Sequence, residues 1–115
     1  MDYKEYGAYS EEEAKGQVEL CEIFISDYMH RNKKAASLGS GGLKHVIEAQ
    51  YNTYISATAV VRACRTRGIP VSEDYYVGLH YLPFAKKKFR EIIRNKEEYP
   101  QFKRAHERLK DVIGE

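Results

Sequence analysis

Between residues 86 and 96 the chain carries six bases, Lys86, Lys87, Lys88, Arg90, Arg94 and Lys96, against one acid, Glu91. Cations set along one helix face neutralise phosphates and displace counterions, which gives an affinity for DNA that falls with salt. Arg90 adds a planar fork that can grip a guanine edge through two hydrogen bonds, which lysine does less well. No other group of residues points to a chemistry as directly. The four histidines, His30, His45, His80 and His106, include no two at metal-ligand spacing on one helix, and there is no Cys-x-x-Cys. No paired carboxylates stand out for acid–base work. The sequence therefore predicts a non-enzymatic protein with no cofactor and no metal.

A basic run can meet DNA only if its other side is held. Ala85, Phe89, Ile92 and Ile93 recur at helical spacing and predict a helix over 84–96, with Lys86, Lys87, Lys88, Arg90 and Arg94 facing outward. Ahead of it, Ser72 with Glu73 and Asp74 reads as the cap and first turn of a short helix. Tyr75, Tyr76, Leu79 and Leu82 supply that helix with apolar contacts, and Pro83 ends it. Two helices joined by a turn, the second with a buried face and a basic face, fit a helix-turn-helix that lays its second helix in the major groove. Pro100 suits the first turn of a last helix, with Phe102, Ala105, Leu109 and Val112 or Ile113 on its buried face.

The pattern across this region is Leu79-x-x-Leu82-Pro83-Phe84-x-x-x-x-Phe89-x-x-Ile92-Ile93, followed by Tyr99-Pro100-Gln101-Phe102-Lys103-Arg104-Ala105-His106-Glu107-Arg108. Residues 79–110 so arranged resemble the helix-turn-helix region of small terminase subunits of tailed phages and related phage DNA-binding proteins. The resemblance covers under a third of the chain, and Pro83 stands where that family usually has glycine. It implies DNA binding and assembly into oligomeric rings.

The upstream half reads as scaffold. Tyr3, Tyr6 and Tyr9 lie in a segment, residues 1–9, without firm periodicity. It reads as a flexible arm, to be ordered on a partner chain or on the protein's own helices. Residues 10–68 read as two long helices. Ser10 and Glu13 form a capping-box start, and Ala14, Val18, Cys21, Ile25 and Tyr28 continue an amphipathic helix to about residue 36. Gly16 costs that helix about 1 kcal/mol relative to alanine and leaves room for a neighbouring helix. Gly39-Ser40-Gly41-Gly42 reads as a flexible connection. It fails as a phosphate cradle, because Leu43, Lys44 and His45 follow where the P-loop needs lysine and then serine or threonine. Residues 43–67 read as a second long helix, stopped at Gly68, although Thr53 to Val61 is rich in β-branched residues. This helix is apolar nearly all round, which predicts a central position and a homo-oligomer.

Bulk properties agree with one folded domain. Of 115 residues, 43% are hydrophobic and 31% charged, as in ordinary soluble proteins. No apolar run approaches the ~20 residues that span a bilayer. The opening Met-Asp-Tyr-Lys-Glu-Tyr has no secretory apolar segment, so a cytoplasmic location is expected. Cys21 and Cys64 read as reduced core thiols. Charge is uneven: residues 1–30 carry eight acids and two bases, and bases dominate the rest.

The expectation is thus an all-α single domain over 1–115, a four- to five-helix bundle with a helix-turn-helix-like unit and last helix over 72–113. It binds duplex DNA through the basic helix 84–96. The alternative is a helical protein-interaction module, an inhibitor or adaptor of a mobile element, using the acidic first helix and the ten tyrosines, a residue type favoured in interfaces.

Overall fold

The computed structural model describes residues 2–32, 36 and 38–94. Among them the chain is predominantly helical, with two small two-stranded sheets. The elements in order are a 3-10 helix at Tyr3–Tyr6, α1 (Glu11–Tyr28), β1 (Met29–Arg31), β2 (Leu38–Gly39), α2 (Ser40–Tyr51), α3 (Ala57–Thr66), β3 (Tyr76–Val77), β4 (Leu79–Tyr81), α4 (Pro83–Lys88) and α5 (Arg90–Arg94).

α1 begins where the capping residues place it. Ser10 Oγ accepts from Glu13 N at 3.1 Å, and Glu13 Oε2 accepts from Tyr9 N at 2.7 Å, one residue upstream of the usual capping-box donor. Its buried stripe of Ala14, Gln17, Cys21, Phe24 and Ile25 packs on α3, and α2 packs against both. The segment 2–9 docks on the chain's own α1 and α3, with Tyr6 and Ala8 buried in the core. No atom lies within 4 Å of a Cβ placed on Gly16, so this glycine admits no close helix. Cys21 and Cys64 are free, buried thiols. Burial pushes both well above the usual thiol range, Cys64 to about 12.

Three helix expectations are corrected. The first helix stops at Tyr28 rather than near 36, because Met29 turns extended and β1 pairs antiparallel with β4. The ladder gives Met29–Arg31 backbone partners and buries Met29, an outlet the helix period did not reveal.

The helix read over 43–67 is two helices. α2 already starts at Ser40, so the glycine run is its first turn, with Ser40 and Gly41 buried. It ends at Asn52, which is left-handed at φ 50°, a conformation asparagine tolerates. Ser56 then caps α3, its Oγ accepting from Ala59 N at 3.1 Å. Side chains from α1 and α2 satisfy the backbone exposed by the break. Lys44 Nζ donates to Ile55 O at 3.1 Å, Glu48 Oε2 accepts from Ile55 N at 3.3 Å, and Gln17 Oε1 accepts from Ser56 N at 2.9 Å. Divided this way, Leu43, Ile47, Val60 and Val61 are all covered within the chain.

The third correction concerns 72–82, read as a helix. Ser72 caps a tight loop instead: its Oγ accepts from Tyr76 N at 3.1 Å, and Tyr75, fully buried, takes φ 62°. β3 pairs with β2, matching Leu38 with Val77, and β4 pairs with β1. Tyr75, Val77 and Leu79 point inward while Tyr76 and His80 point out, the period-two alternation of a strand. The first helix of a helix-turn-helix is thus absent here. Pro83 is the first residue of α4, a place that suits its fixed φ and missing N–H, rather than the turn between two helices.

Candidate nucleic-acid interface

The basic segment runs from Pro83 to Arg94 as two short helices around Phe89, whose φ −101° and ψ 17° relax the chain for one residue. Helical hydrogen bonding carries across this residue: Phe89 N donates to Ala85 O at 2.9 Å and Ile93 N to Phe89 O at 3.0 Å. The segment is entered from β4, where Leu82 N donates to Tyr28 O at 2.9 Å and fixes the start of α4 against the end of α1.

Its inner face is anchored by aromatics. Ala85 and Phe89 are buried, and Ile92 and Ile93 pack partly against the same core. The Phe89 ring lies 5.5 Å from Phe24 and 5.3 Å from Tyr28, centroid to centroid. Tyr28 is held in turn by Gln50, whose Nε2 donates to its hydroxyl at 3.1 Å. Offset and edge-on aromatic packing of this kind contributes about 0.5–1.5 kcal/mol per pair beyond burial.

The outer face carries the predicted cations. Lys86, Lys87, Lys88, Arg90 and Arg94 are all exposed. Lys96 and the last helix over 99–113 lie outside the described residues, as does the Tyr99–Arg108 part of the phage resemblance. Pro83, Lys86, Lys87, Arg90, Ile93 and Arg94 line an open groove of about 430 Å³ along the segment. The cations divide into two kinds. Lys88 leans back on the aromatics, its Nζ 5.8 Å from the Tyr28 centroid and 5.7 Å from that of Phe89, where the ring faces attract it. Lys86, Lys87 and Arg90 make no ion pair among the described residues, and Arg94 has only a loose exposed contact with Glu91 at 3.9 Å.

The other candidates are weaker on geometry. An open groove of about 470 Å³ between the 3-10 helix and α3 presents Arg62 and Arg65, but Glu5 also lines it and opposes an anion there. Among the described residues, Tyr6 and Tyr75 are core residues, and the exposed Tyr9, Tyr54 and Tyr76 stand on separate segments. Lys44 is turned inward, so the glycine run offers no lysine to a phosphate. Among the described residues, no three of His, Cys, Asp or Glu are placed to hold a metal ion, and no helix is long and apolar enough to cross a membrane. No protein-family model, curated protein or solved structure matches the chain.

Proposed function

We propose that this chain is a non-enzymatic DNA-binding protein that lays the outer face of Pro83–Arg94 along the phosphates of duplex DNA. The observation that carries the reading is the division of this segment. One face is fixed in an aromatic core, and the other shows five exposed cations with one acid. A helix held this way meets a polyanion without reordering its backbone, which lowers the cost of binding. Lys86, Lys87, Arg90 and Arg94 are the phosphate contacts, and Lys88 contributes less because it rests on Tyr28 and Phe89. Without a helix at 72–82 to cross the backbone, contacts to phosphate dominate over contacts to bases. The ligand is then duplex DNA with little sequence preference.

Four phosphate contacts predict a plot of log affinity against log salt with a slope of about −3.6. Anisotropy of a labelled duplex across a salt series measures it. Replacing Lys87→Glu and Arg90→Glu together abolishes binding while the helical circular-dichroism signal stays intact. Absence of binding at low salt, about 20 mM, sinks the proposal, since the electrostatic term is largest there. The ring assembly implied by the phage resemblance is read separately, by light scattering with and without DNA.

A further inference from the structure

The pairing of β1 with β4 sets His30 directly opposite His80. Both side chains are exposed, their ring centroids are 5.6 Å apart, and the ring planes meet at 68°. The register is pinned on either side of the pair. Leu82 N donates to Tyr28 O at 2.9 Å, and Asn32 N donates to Gly78 O at 2.8 Å. Met29 and Leu79, buried on the opposite face, prevent a one-residue slip that would expose them. Neither imidazole makes a hydrogen bond or ion pair with the described residues, so the ring nitrogens are open to a ligand.

The separation suits one shared ion. Metal–nitrogen bonds of about 2.0–2.1 Å place each ring centroid roughly 3.2 Å from the metal, so two imidazoles at a tetrahedral angle have centroids about 5.2 Å apart. The observed 5.6 Å differs by a few tenths of an ångström. Imidazole pairs select zinc, nickel and copper over magnesium and calcium, which prefer oxygen.

We propose that His30 and His80 form a two-imidazole site for a transition-metal dication, Zn²⁺ or Cu²⁺, with water filling the remaining positions. Such a site binds Cu²⁺ more tightly than Zn²⁺. The bound ion staples the strand that leaves α1 to the strand that enters α4. It therefore stabilises the folded chain, and this holds whether or not the basic segment binds DNA.

The test uses the full chain, stripped with chelator, and the metal salts alone. Zn²⁺ and Cu²⁺ at about a hundred times the dissociation constant raise the melting temperature by on the order of 10 °C, and Mg²⁺ leaves it unchanged. His30→Asn and His80→Asn each remove the rise, while His106→Asn keeps it. A wild-type chain unmoved by Zn²⁺ and Cu²⁺, or a double variant that still responds, overturns the proposal. A second readout does not depend on variant stability: substoichiometric Cu²⁺ broadens the ring protons of His30 and His80 first in the proton NMR spectrum. Broadening that spares them overturns it equally.

Discussion

Lys44 and Lys87 lie on helices of one small protein and do opposite things. Lys44, on α2, is buried, 3.0 Å from Glu48 Oε1, donating to Ile55 O and lying 5.1 Å from the Tyr54 ring centroid. Lys87, on α4, is exposed and has no ion-pair partner among the described residues. What separates them is the company each helix provides. Glu48 stands four residues after Lys44, and the break at 52–56 brings a carbonyl to its tip. Glu91 stands at the same spacing after Lys87, but the two form no ion pair, and Glu91 makes only a loose contact with Arg94 at 3.9 Å. A lysine enclosed by its own partners holds the fold, and an exposed one without such partners is available to an external anion.

The largest effect expected from this contrast is on stability. Lys44→Met leaves Glu48 half-buried with its main counter-charge gone and Ile55 O without its donor. Removing one member of such a pair costs on the order of 3 kcal/mol. Lys87→Met stays within about 0.5 kcal/mol, as surface changes usually do. Urea unfolding of both variants decides it. Equal midpoints would show that the Lys44 cluster is not holding the break.

Acid titration sharpens the same comparison. Burial pushes the Glu48 carboxyl up, but the hydrogen bond from His45, the Lys44 charge and hydrogen bond, and the Ile55 N–H outweigh it, so the folded group sits below the usual carboxylate value of 4.5. A depressed folded value means the unfolded state takes up protons first. The stabilisation is complete above about pH 4.5 and is lost as pH falls from there through the folded value. Glu48→Gln therefore lowers stability at neutral pH and flattens the acid limb of the stability curve. Changes at Lys87 leave that limb as it is.

These effects turn on a feature the sequence reveals only in part. The start of α1 follows from Ser10 and Glu13, and the basic face of 83–94 follows from Ala85 and Phe89 alternating with lysines, because both signals are local. The break at 52–56 is not visible as helical periodicity, since 43–67 is apolar on nearly every side and any phase fits. Asn52 as a helix stop and Ser56 as a cap were available local signals. The bonds that decide for them come from Gln17, thirty-nine residues from Ser56. The strands at 76–81 were hidden by a coincidence of spacing. Tyr75, Tyr76, Leu79 and Leu82 satisfy a helix, while Tyr75, Val77 and Leu79 satisfy a strand. Pairing with Met29–Arg31 and Leu38–Gly39 selects the second.

The smallest expected effect tests the outward half of the comparison. Glu91 is the one acid on Pro83–Arg94, and its contact with Arg94, at 3.9 Å between exposed groups, is too loose to stabilise the fold appreciably. In the DNA reading it repels the phosphates that its neighbours attract and occupies part of the Arg94 guanidinium. Glu91→Gln removes both handicaps without altering side-chain size. Affinity for duplex DNA should rise about two- to fivefold at low salt, the gain shrinking as salt screens the site. The unfolding midpoint should not move. If affinity is unchanged while Lys87→Glu with Arg90→Glu still abolishes binding, the DNA contacts the Lys86–Arg90 end of the groove and not its Arg94 end. If affinity falls, Glu91 is itself a contact, and the partner of this face carries positive or hydrogen-bond-donating groups in place of a uniform row of phosphates.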